Sequence, residues 1–232
     1  LTLASLLQAN FARANLTHSV MDRAVARRAD FAGASLQHLL ARRCCMTAAN
    51  LHGVDARSAD FSGSDMISAD LTEANFANAI LDGCHLGRAV LEGTQLTMAR
   101  LQGANLLKVD LRTVQLQATD FSRARLWGVN LEDVELGNSC FADARMVEAL
   151  LTGSKASGAS FHGADLSYTG LAEIEWEDCD LRWADLRGAA FQMGSTRCGL
   201  VGSPYPSHGT RTGFYTCLLY TSPSPRDRTS SR

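Results

Sequence analysis

From Leu1 to Phe191 every fifth residue is apolar, and no slip occurs in 39 consecutive positions. The series holds 22 Leu, 8 Phe, 4 Met, 4 Ala and 1 Trp. The position two residues earlier, followed from Ala4 to Ala189, is Ala 21 times in 38. The remainder is Ser, Thr, Cys or Val, apart from Leu39 and Ile174, and neither position is ever charged. Internal repetition of this kind decides a fold before any local propensity does. Neither an α-helix nor a β-strand keeps a period of five in phase with one face. Two inward positions in every five suit a coil with flat sides and a turn at each corner. The stretch ADFSGSDMISADLTEANFAN at 59–78 shows the unit: Phe61, Met66, Leu71 and Phe76 point inward, and Asp60, Asp65, Asp70 and Asn75 point outward.

The blocks ANLTH (14–18), ADFAG (29–33), ADLTE (69–73), ANLLK (104–108) and ADLRG (184–188) resemble the pentapeptide-repeat family, A-(D/N)-L-x-x. The resemblance covers residues 1–195. It implies an all-β fold, a right-handed quadrilateral β-helix with four pentapeptides per coil and just under ten coils. At sheet spacing of ~4.8 Å such a rod is ~45 Å long. The Asp or Asn before each central residue can bond backbone in the turn. Gly at the end of a block, as at Gly33, Gly53, Gly63, Gly93, Gly103, Gly153 and Gly163, can supply a positive φ. Ala26, Ala41 and Ala56 fall close together among the central positions, which predicts thinner and less regular N-terminal coils.

Residues 196–216 form a Gly/Ser/Pro-rich segment that reads as irregular structure over the last coil. The wording of 194–216 resembles a stretch that follows the repeats in type VI secretion-associated pentapeptide proteins, which implies a bacterial secretion setting. Residues 217–232, beginning CLLYTSPSPRD, match a translated transposase adapter from sequencing-library preparation and are set apart from the fold. The natural C-terminus is therefore expected to differ, in keeping with a metagenomic fragment that lost any neighbouring domain. The chain starts at Leu1 with the repeat already running, which leaves a preceding segment, a signal sequence included, open.

No apolar run is long enough to span a bilayer. The seven cysteines include no C-x-x-C pair and no even spacing, so a reducing, cytoplasmic compartment is expected. Phosphate loops, nucleophile elbows and H-E-x-x-H are absent, and no catalytic site, cofactor or metal is expected. His18 and His38 share an outward column one coil apart, but no third ligand accompanies them. Cys44, Cys84 and Cys179 occupy the small inward position as core filler, whereas Cys45 and Cys140 face outward without a neighbour that would activate them.

Two surfaces are candidates. Residues 1–57 carry three acids and seven bases, net +4, and residues 58–195 carry twenty acids and ten bases, net −10. Acids are densest at Asp165, Glu173, Glu175, Glu177, Asp178, Asp180 and Asp185. The family resemblance implies DNA mimicry as one use of an acidic rod, since the family includes topoisomerase-protecting, quinolone-resistance proteins. A solvated turn accounts for several of these acids equally well. The second surface is apolar: Ile67, Leu107, Trp127 and Val147 each follow a central residue on one face, the last three in consecutive coils. Trp176 is a core position, and Trp183 and Tyr168 point outward toward the 194–216 segment. These features favour a noncatalytic interaction scaffold whose partner is another protein rather than nucleic acid. A DNA-mimicking, topoisomerase-binding protein is the first alternative and a repeat region accessory to an enzyme or effector domain the second, and uncapped coil ends leave self-association open.

Overall fold

The computed structural model describes residues 1–190. Within them the chain repeats one hydrogen-bonding cycle, well seen at residues 61–65. Phe61 N–H donates to Ile80 O (2.8 Å) and Gly63 N–H to Asp82 O (2.7 Å), both in the following coil. Asp65 N–H donates to Cys44 O in the preceding coil (2.9 Å). Ser64 N–H closes a tight turn onto Phe61 O (3.0 Å). Four of the five amides are thus satisfied by main chain. The fifth, on Ser62, donates to Asp60 Oδ1 at 2.9 Å. The same side-chain contact recurs from Asn10 to Asp185 at 2.9–3.3 Å. This explains the Asp/Asn preference: only a short side chain carrying an acceptor reaches that amide.

Parallel backbone pairings link residues 20 apart, from Ser5 with Val25 to Gly170 with Ala190. One coil is therefore four pentapeptides. Central side chains stack by the same register into one core. Phe121 lies parallel to Phe141 with ring centroids 5.3 Å apart, and Phe141 to Phe161 at 5.0 Å. Trp176 is buried and meets Phe161 edge-on at 5.5 Å, as expected of a core position. The small inward positions hold a second device. Thr94, Thr119 and Cys84 are buried and donate to Leu71 O, Leu96 O and Phe61 O in the coil below. Ser64 goes further: it donates to Ala41 O and accepts from Cys44 N–H, inserting its hydroxyl into the turn beneath.

Every corner but one has a residue in the left-handed region. From Leu3 to Gly188 the second corner residue has φ between 54° and 72° at each repeat except Thr113. The glycines foreseen at these corners are there. At Gly153 a Cβ would also come within 2.2 Å of Asp133 Oδ1, so both space and φ favour glycine. Most corners nevertheless carry non-glycine residues, and the strain is borne because nearly all the corner amides are fixed to the next coil.

Regularity departs from expectation in its location. The coils containing Ala26, Ala41 and Ala56 keep full pairing, and all three alanines are buried. The ladder and corners depend on backbone, and bulky centres such as Met21, Phe31, Met46 and Phe61 stand in the neighbouring positions. The irregular coil is instead the one with Thr113. A β-branched residue resists positive φ, and Thr113 does not adopt it. The pairings of Val90 with Asp110 and Gln115 with Glu135 are missing from the series, and Gly93 N–H turns to Thr113 Oγ1 (3.0 Å). Among the described residues no helix is long and apolar enough to cross a membrane.

Thr113→Asn places an αL-tolerant residue at this corner. It is expected to raise the melting temperature by a few degrees, about 0.5–1 kcal/mol, and to slow hydrogen exchange at Asp110 and Leu116. An unchanged exchange pattern would show that Thr113 is not the cause of the missing pairings.

Candidate interaction surface

Outward side chains obey two spacings. Residues 20 apart stand one above another. Residues 18 apart meet diagonally, from a corner to the flat side of the adjacent coil: Gln37 with Asp55 (2.7 Å), Thr47 with Asp65 (3.1 Å) and Gln102 with Asp120 (2.7 Å).

The apolar column lies on a corner. Ile67, Leu107 and Trp127 are 38%, 40% and 43% exposed. Val147 is half-buried rather than open, and Gly87 separates Ile67 from Leu107, so the continuous exposed part is Leu107 and Trp127. Lys108 Nζ stands 5.6 Å from the Trp127 ring centroid, within cation–π range. Tyr168 and Trp183 are exposed as expected. Their proposed cover, residues 194–216, lies outside the described residues, as do residues 196–232 in general.

The acidic set does not form one patch. Glu173, Glu175, Glu177 and Asp178 wrap around one side and its corners, whereas Asp165 and Asp185 stand on the opposite side, paired with each other through backbone. Arginine neutralises part of the set. Arg182 binds Asp180 (2.7 Å) and Arg187 binds Asp185 (2.6 Å), while His162 Nδ1 is 3.8 Å from Asp180. Asp165 accepts from Ser167 N–H, its turn amide. Lys155 pairs with Glu135 (2.6 Å) in the column that Glu175 continues. The Asp-x-Arg spacing recurs at Asp55–Arg57 and Asp110–Arg112 (both 2.7 Å). In all four pairs the guanidinium, with the turn amide, holds the aspartate below its ordinary pKa.

His18 and His38 stack with centroids 4.7 Å apart and planes 2° from parallel. No group of three metal-ligating side chains exists among the described residues. Cys44 and Cys84 are buried core thiols, pushed up to about 11 and about 12 by desolvation. Cys179 is buried likewise, its thiol on Ala156 O. Cys45 corrects the expectation of an unmarked thiol. Arg27 Nε lies 3.2 Å from its sulfur, at the 18-residue spacing. Partial burial alone would raise this thiol, but Arg27 and Thr47 outweigh it and bring the pKa below its ordinary value. The coil length of 20 would have revealed the pairing, because Arg27 is 18 residues before Cys45. Cys140 has only the Ser122 hydroxyl, at 3.2 Å.

The family profile described as Pentapeptide repeats matches in eight copies, over residues 4–47, 44–76, 69–106, 110–146 and 144–188. The chain belongs to the pentapeptide-repeat family. Its coil is accordingly the right-handed β-helix of that family. Among solved structures it is similar to HetL, a pentapeptide-repeat protein involved in heterocyst differentiation regulation in the cyanobacterium Nostoc sp. strain PCC 7120. Identity to HetL is 27%, with 84% of this chain and 89% of HetL covered and a TM-score of 0.62. It also resembles QnrB1, a plasmid-mediated fluoroquinolone resistance protein, at 18% identity over 83% of this chain and 90% of that one, with a TM-score of 0.41. That second likeness carries no functional argument. No curated protein sequence matches the chain.

Two outcomes test this surface. Cys45 is expected to react with iodoacetamide at neutral pH faster than Cys140, and Arg27→Ala to slow it; equal rates by mass spectrometry would contradict the arginine contact. Aspartates with depressed folded-state pKa contribute stability that is complete above the unfolded value near 3.8 and fades as pH falls through the folded value. Thermal melting is therefore expected to be flat above pH ~5 and to fall below pH ~4. A variant with Asp55, Asp110, Asp180 and Asp185 changed to Asn should fall less, since Asn fills the same turn at Asn10 and Asn50 without titrating.

Proposed function

We propose that the chain is a noncatalytic scaffold, a rod of just under ten coils, whose Leu107–Trp127 corner binds another protein. The observation that carries this reading is an indole and an isobutyl group left open in successive coils of a surface whose other outward positions are mostly polar. A β-helix held by main-chain bonds from coil to coil presents such groups in fixed positions, so little ordering entropy is lost on binding. HetL, the structure of 27% identity, is described as involved in heterocyst differentiation regulation, and a regulatory role through binding suits this chain as well. Free cysteines, five of them among the described residues, accord with a cytoplasmic setting. The type VI secretion setting rests on residues 194–216 alone. Mimicry of DNA has less support, because Asp180 and Asp185 are paired with arginines and the remaining acids divide between opposite sides.

Trp127→Asp is expected to abolish partner capture while leaving the melting temperature within about 0.5 kcal/mol of the parent's stability, the range for exposed positions. An unchanged pull-down would sink the proposal. In a gyrase supercoiling assay the rod is expected to neither inhibit nor protect at micromolar concentration; clear inhibition would favour mimicry instead.

A further inference from the structure

The side of the rod next to Trp127 is basic, although residues 58–195 as a whole carry net −10. Arg125 and Arg145 lie one above the other on its flat part, paired through backbone. They stand 18 residues after Leu107 and Trp127, the diagonal relation at which Gln37 meets Asp55 and Gln102 meets Asp120. Arg88 and Lys108 lie along the corner that carries Leu107 and Trp127, and Arg123 occupies the other corner of the same side. All five cations are exposed, and none forms an ion pair among the described residues. The other arginines of residues 58–190, namely Arg100, Arg112, Arg182 and Arg187, are all paired with aspartates. Over residues 83–148 two carboxylates share this side, Asp143 and Glu148, both at corners one coil beyond Arg123 and Gly128; Asp165 follows Arg145 in the flat column and bounds the basic patch at that end.

We infer that this side is a docking site for an acidic protein segment bearing aliphatic side chains. The inference rests on the reading of Leu107 and Trp127 as an interface and names the chemistry of the partner. Charge complementarity selects a polyanion. A protein segment rather than nucleic acid is favoured by two features. Lys108 already lies over the Trp127 ring, which restricts base stacking there. The surrounding acids repel a long phosphate backbone, whereas a short carboxylate-bearing segment meets only the patch. Leu107 beside Arg125, and Trp127 beside Arg145, alternate apolar and cationic groups along the rod. A segment that alternates acidic and aliphatic residues matches that order.

The test uses the full chain and a labelled peptide of alternating Glu and Leu about six residues long, enough to cross about four coils. Fluorescence anisotropy is expected to show binding that weakens with salt. The double variant Arg125→Glu, Arg145→Glu should weaken it at least about tenfold, whereas Arg13→Glu, in a different corner column, should not. Matching thermal melts establish that the variants are folded. A Gln–Leu peptide that binds as well as Glu–Leu, or a charge-reversed variant that binds normally, would overturn the acidic-partner inference. If Trp127→Ser then still removed binding of both peptides, the interface reading itself would stand. Full Glu–Leu binding by Trp127→Ser would overturn both. Tighter binding of single-stranded oligothymidylate than of Glu–Leu would overturn the inference in favour of nucleic acid.

Discussion

Each repeat leaves one backbone amide that no neighbouring main chain reaches, and the rod depends on how that amide is satisfied. The other four bond within the turn or to the coils above and below. The fifth points outward at a corner and is met by the Asp or Asn two residues before it. Where that residue has no side-chain acceptor the problem recurs and finds a second answer. Leu40 cannot accept, and Arg42 N–H instead bonds Asp22 of the coil beneath. After Arg100, Gln102 N–H bonds Asp82 in the same way. The acceptor moves along the chain by 18 residues, yet the amide is still paired. A single polar contact thus explains both the consensus and two of its exceptions.

The architecture was legible in the sequence because its period is short and is repeated so often. Phe61, Met66, Leu71 and Phe76 required no propensity argument; their spacing alone put them inside. What the repeat concealed was the relation between coils. Arg27 and Cys45 look unrelated in a linear reading, and only the 20-residue turn length brings guanidinium to thiol. The irregular coil was misjudged for a similar reason. Small central residues suggested weakness at Ala26, Ala41 and Ala56, but the hydrogen-bond cycle is indifferent to side-chain volume. It is sensitive to φ at the corner, and so Thr113, not the alanines, disturbs it. The candidate surface was half visible: the exposed Trp127 was foreseen, the half-burial of Val147 and the unpaired cations beside it were not.

Charge on this molecule has meaning only by side. Net values for the N- and C-terminal parts suggested a rod with one basic and one acidic end. In three dimensions Asp-x-Arg pairs cancel locally, and the unpaired cations gather on one side, next to Asp165, while the densest unpaired acids lie opposite. Glu173, Glu175 and Glu177 are turned away from Arg125 and Arg145. Electrostatic steering of a partner would then orient the rod about its long axis as well as attract it.

The 20-residue register also governs how such a chain can change. Adding or removing one pentapeptide keeps every hydrogen bond available but turns all later residues by one side. Trp127 would then face a different direction from Leu107 and Ile67. Adding four pentapeptides lengthens the rod and leaves each side's decoration in line. Insertions in this protein therefore come in two kinds: those of a whole coil change reach, and those of a single side change which way every downstream residue looks.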